Sequence, residues 1–233
     1  MPDVKFNTAL IVGAGAGLSA SLARALTKEG IAVALAARTT EDLGALTQET
    51  GARALACDAS QRAQVEKLFA NLDAAGAAPE IVIYNASHRT RGPFIELDPA
   101  EVERSIAVSA FGGFLVAQQA ARRMVPKHHG VILFTGASAS LKGYAQSAPF
   151  AMGKFALRGL AQSMARELGP QGIHVAHMVI DGGIRSSRRG EPAGAPDSLL
   201  DPDAIAASYL QVIHQPRSAW SFEIELRPWV EKF

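Results

Sequence analysis

The sequence predicts an α/β fold in which helices cover both faces of a parallel, doubly wound sheet of about seven strands. Short apolar runs alternate along the chain with longer segments of helical period, and parallel neighbouring strands need such helical crossovers. The 233 residues are 48% hydrophobic and 19% charged, which suits a compact core rather than a disordered chain. Because no repeat or linker divides the chain, we expect a single domain over residues 1–233.

The elements follow in order from this alternation. Apolar runs bounded by glycine or charged residues predict strands at residues 8–12, 32–36, 52–56, 81–84, 131–135, 174–180 and 222–226. Segments with apolar residues at helical spacing predict helices at residues 18–29, 41–50, 61–75, 99–124, 150–168 and 203–214. The stretch 185–200, rich in Gly, Pro and Arg, reads equally well as a substrate lid or as a solvated loop.

Charge and cysteine content exclude several classes of function. The 23 basic and 22 acidic residues are interspersed and give a net charge of +1, so we expect no nucleic-acid partner. The one cysteine, Cys57, allows neither an internal disulfide nor a cysteine-based metal framework, and a cytoplasmic location is the default. We expect no export signal and no membrane span, since the apolar segments are short and interrupted.

A glycine-rich turn joins the first predicted strand to the first predicted helix. Such a turn permits positive φ and close backbone approach, and the free N–H groups and dipole at the helix start can receive a pyrophosphate. A tight turn without a ligand is the alternative. Because the glycine-rich turn lies between a strand and a helix, it favours a dinucleotide site of the Rossmann type. The cofactor contacts expected here are Gly13, Gly15, Ala16, Gly17 and Leu18.

The residue after the second strand indicates which dinucleotide is bound. A site that prefers NAD usually carries Asp or Glu there to accept from the ribose 2′-hydroxyl. This chain has Arg38, whose guanidinium can pair with a 2′-phosphate. We therefore favour NADP(H) over NAD(H), with a solvated surface arginine as the alternative.

Together these motifs resemble the short-chain dehydrogenase/reductase family over nearly the whole chain. The family turn T-G-x-x-x-G-x-G places its glycines on Gly13 and Gly17, with Val12 and Ser19 at the other two signature positions. The resemblance implies that Asp58, beside Ala59, contacts adenine. The other cofactor contacts that it implies are Asn85, Ala86, Ser87, Asp181, Gly182, Ile184 and Lys154, with Ser186 bonding the nicotinamide amide.

The catalytic signature of the family is incomplete here. Its Y-x-x-x-K motif uses tyrosine as proton donor and a lysine one helical turn later to lower the tyrosine pKa. The corresponding residues are Phe150 and Lys154, and phenylalanine has no proton to give. The family serine falls on Ala137 or Ser138, of which Ser138 is chemically competent, and the family asparagine falls on Ser109.

Other side chains remain open candidates. Lys154 is expected to hold the nicotinamide ribose hydroxyls, or else only to cover apolar surface. Tyr144 is a candidate acid or an ordinary loop tyrosine, and His88 should lie beside the crevice at the end of the fourth strand. His174 and His177, three apart on one strand, face opposite sides of the sheet and are expected to be structural.

Two functions follow from this reasoning. The first is an NADP(H)-dependent oxidoreductase that moves hydride between nicotinamide and a small carbonyl, alcohol or activated alkene. The second is an NADP(H)-binding protein without turnover, acting as a redox sensor or partner subunit. The resemblance also implies a homodimer or homotetramer formed through the fourth and fifth helices. Gly112 and Gly113 within the fourth predicted helix are expected to allow close helix packing.

Overall fold

The computed structural model describes residues 5–186 and 189–231 and shows one parallel, seven-stranded sheet. The strand order is β3-β2-β1-β4-β5-β6-β7, so the predicted Rossmann-like α/β fold is confirmed. The strands are β1 (Thr8–Val12), β2 (Ala32–Ala37), β3 (Arg53–Ala56), β4 (Ile81–Tyr84), β5 (Gly130–Thr135), β6 (Ile173–Ile180) and β7 (Glu223–Leu226).

Helices connect these strands close to the positions that the apolar spacing predicts. They are α1 (Leu18–Lys28), α2 (Gly44–Thr50), α3 (Arg62–Ala74), α4 (Pro99–Ile106), α5 (Gly112–Met124), α6 (Ala148–Leu168) and α7 (Pro202–Ile213). The predicted helix at 41–50 begins as a 3-10 turn, Glu41–Leu43, before α2. Within residues 5–186 and 189–231, no helix is both long and apolar enough to cross a bilayer.

The sheet is buried on both faces because alternate strand residues enter two separate cores. Ile11 packs with residues of α1 and α7 on one face, whereas its neighbour Leu10 packs with residues of α3, α5 and α6 on the other. Every residue of β6 is buried. Strands that are buried along their whole length are typical of a parallel sheet covered on both sides.

The predicted helix at 99–124 is instead three consecutive segments. Between α4 and α5 lies one π-helical stretch, Ala107–Phe111. The buried Tyr84 hydroxyl donates to the carbonyl oxygen of Val108, so a carbonyl of this widened turn has a partner outside the helix. Periodicity did not predict the π segment, because the apolar pattern continues through it.

The two glycines after the π segment are required by packing, as expected. A Cβ at Gly112 would clash with the Tyr84 hydroxyl and lie 2.8 Å from the Ala59 carbonyl oxygen. A Cβ at Gly113 would lie 2.6 Å from Cδ1 of Leu157 on α6. This close approach brings α5 against the end of β4, where a crevice opens.

The strand order reverses between β1 and β4, and their carboxyl ends diverge at that point. Ligands of open α/β sheets bind in the crevice formed there. The predicted lid at 185–200 borders the same edge of the sheet, and its residues 187 and 188 lie outside the described residues. Its base is closed by backbone hydrogen bonds of 2.8 Å from Arg185 to Leu200 and from Leu200 to Gly183.

Candidate functional site

A crevice of about 740 Å³ lies at the carboxyl ends of β1, β2 and β4. The glycine turn, the end of β2 and the segment after β4 form its walls. Nearly all of the residues expected to contact the nucleotide part of the cofactor line it: Gly13, Gly15, Ala16, Gly17, Arg38, Asp58, Ala59, Asn85, Ala86 and Ser87.

The glycine turn combines one tight contact with open space. Gly13 has φ of +86°, and a Cβ there would clash with the backbone of Ala86. A Cβ added at Gly15 or Gly17 would meet no atom of the described residues within 4 Å, so the crevice is open above them. No side chain of the described chain caps α1 at Gly17, which leaves the first amides of the helix directed at this space. The turn therefore fits an anionic group such as a pyrophosphate.

The turn is held to β4 by a short chain of hydrogen bonds. Ser19 Oγ donates to the carbonyl oxygen of Gly13 at 3.0 Å, and Asn85 Nδ2 donates to Ser19 Oγ at 2.7 Å. The amide of Asn85 also donates to the carbonyl oxygen of Val12 at 2.8 Å. Ser19 occupies the third glycine position of the family motif, and its two hydrogen bonds link the turn to Asn85 after β4.

The far end of the crevice carries groups of both charges. The exposed Arg38 lines it together with Thr39 and Asp42. Asp58 Oδ1 accepts from the amide and hydroxyl of Ser60 at 2.9 and 2.7 Å, which fixes the orientation of this carboxylate. Arg38 is the basic group available there for a phosphate, and Asp58 is an oriented acceptor beside it.

A second crevice, of about 380 Å³, opens beside the first and shares Gly17, Asn85 and Ser87 with it. It extends toward the end of β5 and the start of α6. The expected residues that line it are Leu18, Ser138, Phe150, Lys154, Gly182, Ile184 and Ser186. The two crevices together form a continuous site along the edge of the sheet.

Lys154 lies at the floor of the second crevice. Its side chain is buried, and Nζ donates to the carbonyl oxygen of Thr135 at 2.7 Å. Burial lowers the pKa of the ammonium to about 8. Nζ lies 5.7 Å from the centroid of the Phe150 ring, so the i, i+4 pair shares one face of α6 as the motif requires.

Three of the expected site residues line neither crevice. Ser109 is fully buried in the π segment, where Oγ accepts from the His88 amide at 3.3 Å. The exposed Tyr144 lies beside Lys142, whose Nζ is 5.7 Å from its ring centroid. Asp181 is buried, with its carboxylate 3.6 Å from the Arg227 guanidinium.

The histidines have local partners. His88 lines the first crevice, and its Nε2 lies 2.7 Å from Glu101 Oε2. His174 stacks on Trp220, whereas His177 Nδ1 is 3.0 Å from Glu223 Oε2. In the part of the chain that the structure describes, no group of three or more His, Cys, Asp or Glu side chains could hold a metal ion.

Sequence reasoning missed the arginines of the second crevice. Arg89 follows the predicted segment 85–87 by two residues and lines this crevice, with its guanidinium carbon 4.8 Å from the Phe150 ring centroid. Arg185, within the predicted lid, lines it as well. The sequence feature that could have identified Arg89 is its position just after β4, at the same edge of the sheet as the glycine turn.

Comparisons with known proteins match the chain over most of its length. Residues 7–191 match the family model described as short chain dehydrogenase. D-erythrulose reductase of Gallus gallus is 34% identical over 178 residues, covering 75% of this chain and 71% of that protein. A short-chain dehydrogenase from Rhodopseudomonas palustris superposes with a TM-score of 0.82 at 36% identity, covering 96% of this chain and 99% of that chain. A metagenomic short-chain oxidoreductase solved in complex with NADP has a TM-score of 0.84 at 28% identity, covering 95% and 97%.

Proposed function

The chain belongs to the short-chain dehydrogenase/reductase family, and from that premise we propose that it is an NADP(H)-dependent oxidoreductase acting on a small carbonyl or enone. The observation that carries the proposal is the continuous site that runs from Arg38 past the glycine turn to Lys154. We propose that residues 1–233 form a single dinucleotide-binding domain, with 185–200 as a lid anchored at its base.

The glycine turn and its neighbours would hold the dinucleotide. The amides at the start of α1 would receive the pyrophosphate, and Asp58 and Ala59, which line the same crevice, would contact the adenine. Arg38 supports NADP(H) over NAD(H), because its guanidinium can pair with a 2′-phosphate. The NADP complex of the metagenomic relative adds support for this dinucleotide.

The substrate would bind in the second crevice. The bound dinucleotide supplies a hydride, which adds to the carbonyl carbon while a proton must reach the oxygen. Ser138 can donate a hydrogen bond to that oxygen, and Lys154 can hold the ribose hydroxyls through its ammonium. Phe150 has no proton to donate, and Tyr144 lines neither crevice, so water is the proton source that we propose. A conjugated alkene suits this site well, because its enolate can be protonated by solvent.

The second candidate function is nucleotide binding without turnover. The observation that favours it is Phe150 at the position where the family motif carries its proton donor. Such a protein would serve as a redox sensor or as the partner subunit of an active relative.

One pair of measurements tests both functions. Titration of the protein with NADPH, followed by cofactor fluorescence, is expected to saturate for either function. Oxidation of NADPH, followed by absorbance with a panel of aldehydes, quinones and enones, is expected for the enzyme alone. Binding without oxidation of NADPH by any substrate class would favour the second function, and a failure to bind would refute both.

An exposed aromatic surface supports self-association. Phe111, Phe114, Met152 and Phe155 are 41–50% exposed, and they lie on helical segments that pack together. Contiguous exposed apolar surface of this kind often marks a protein interface. We propose a homodimer or homotetramer formed through it, which sedimentation velocity of wild type and Phe114→Glu would test by a shift to the monomer.

A further inference from the structure

The second crevice has an unusual charge distribution for a site that binds an uncharged carbonyl compound. Three of its lining residues are basic, namely Arg89, Lys154 and Arg185. None of the described residues that line it is Asp or Glu. The charged side chains that line it are therefore all basic, which favours an anionic ligand.

Arg89 is the basic group placed to contact such a ligand. Its guanidinium carbon lies over the Phe150 ring, 4.8 Å from the centroid, which is within the range of a cation–π contact. The Lys154 ammonium lies 5.7 Å from the same ring centroid. The guanidinium thus borders the place where the family motif positions the reacting carbonyl.

The exposed Arg89 shows no ion pair with an acidic side chain among residues 5–186 and 189–231. Arg185, in contrast, is paired with Asp201 at 2.6 Å. Burial, followed by the nearby charges of Arg91 and Arg189, lowers the pKa of Arg89. An anion bound at this position would relieve the repulsion among these three arginines.

We propose that Arg89 binds a carboxylate of the substrate, so that the compound reduced is a short oxo acid. This inference rests on the proposed oxidoreductase function and names its substrate class. A guanidinium fork matches the two oxygens of a carboxylate. Arg185 is already paired with Asp201, which leaves Arg89, among the described arginines that line the crevice, for the ligand; one guanidinium matches a singly charged carboxylate. The short distance between Arg89 and the Phe150 ring places the carboxylate a few bonds from the carbonyl.

Ligand binding to the NADP+-saturated protein tests the proposal without requiring turnover, because no hydride is available. The probes are acetoacetate and levulinate, each paired with its methyl ester, and dihydroxyacetone phosphate. Dissociation constants come from saturation-transfer difference NMR titrations. At least one acid is expected to bind about tenfold or more tightly than its ester, since hydrogen bonds to charged groups are strong.

Variants then assign the preference to Arg89. Arg89→Met keeps an extended side chain against the Phe150 ring but removes the charge, and it is expected to abolish the difference between acid and ester. Arg89→Lys keeps the charge without the planar fork and is expected to retain part of the difference. The matched control is Arg122→Met, which removes an exposed charge on α5 outside the crevice and should change the acid-to-ester ratio less than about twofold.

Each outcome has a distinct meaning. Tight NADP+ binding with equal affinities for acids and esters overturns this inference and leaves the proposed function standing. A preference that survives in Arg89→Met also overturns it. Arg89-dependent binding of dihydroxyacetone phosphate above both acids replaces the carboxylate with a phosphate. A wild-type protein that binds no NADP+ overturns the proposed function and this inference with it.

Discussion

The substitution Phe150→Tyr is expected to raise carbonyl reduction by restoring a proton donor. The new hydroxyl would extend from a ring that already lines the second crevice, and Lys154 is already present one helical turn later. The side chain gains a single oxygen at the edge of an open crevice, so no large rearrangement is needed. The cofactor crevice is left unchanged.

The distance between the two side chains sets the expected magnitude. With the 5.7 Å between Lys154 Nζ and the Phe150 ring centroid taken as the charge separation, an effective dielectric constant of about 20 gives a phenolate ~3 kcal/mol of stabilisation. An energy of this size lowers the pKa of the new phenol below its ordinary value. General acid catalysis contributes roughly 100-fold to 10,000-fold in rate. Because Lys154 Nζ is also held by the Thr135 carbonyl oxygen, we expect a gain near the lower limit, about 100-fold.

The assay is NADPH oxidation with the carbonyl compound that the wild type reduces fastest, alongside NADPH affinity by fluorescence. Phe155→Tyr is the matched control, since Phe155 lies on the same helix with its ring 44% exposed and lines neither crevice. It should leave the rate unchanged. Adding Lys154→Met to Phe150→Tyr should remove most of the gain, because the phenol then loses its nearby cation.

A folded Phe150→Tyr protein with normal NADPH affinity and a rate within about twofold of wild type would refute the reasoning. It would mean that the ring does not border the reacting carbonyl. An equal gain in Phe155→Tyr would point instead to a general effect on folding or expression.

Three further predictions concern the cofactor, the buried lysine and the helix contact. Arg38→Asp should weaken NADPH binding about tenfold or more while changing NADH binding little, and equal weakening of both in fluorescence titrations would contradict the 2′-phosphate argument. Burial lowers the pKa of Lys154 from 10.5 to about 8. Between these two pH values the lysine is protonated in the unfolded chain and neutral in the folded protein, so the free energy of unfolding rises with pH. Relative to Lys154→Met, wild type should gain about 2–3 kcal/mol of unfolding free energy between about pH 7 and pH 10 in urea titrations, and a constant difference would show that the ammonium is not buried. Gly112→Ala should lose about 1–3 kcal/mol because its Cβ clashes with Tyr84, whereas Gly159→Ala on α6, with no described atom within 4 Å, should gain up to about 1 kcal/mol; similar effects would contradict the packing argument.

The sequence predicted those parts of the site that depend on backbone geometry. The strand at 8–12 and the glycines after it were placed correctly, because a turn with positive φ between a strand and a helix leaves a clear signature in composition. Lys154 was placed through its helical spacing from Phe150. These signals are local, and they needed no knowledge of distant contacts.

The features that the sequence did not predict depend on contacts between distant segments. Arg89 reaches the Phe150 ring only because β4 and α6 end at the same edge of the sheet. In the π segment, the carbonyl oxygen of Val108 accepts a hydrogen bond from Tyr84, which lies 24 residues earlier. Asp181 was expected in the cofactor site, but Arg227 near the end of the chain holds its carboxylate. Spacing along the chain carries no information on such pairings.

The buried lysine connects the energetics of the fold to the choice between the two functions. A protonated Lys154 opposes folding at neutral pH, since burial lowers its pKa to about 8, and one carbonyl oxygen is its hydrogen-bond partner. An apolar side chain would avoid that cost in this environment. In either proposed function the ammonium would hold a bound dinucleotide, so the lysine alone does not distinguish them. The proposed role of Arg89 would distinguish them, because a carboxylate site beside the Phe150 ring would have no use in a protein that binds only the dinucleotide. On this argument the charge of the second crevice favours the enzyme over the sensor.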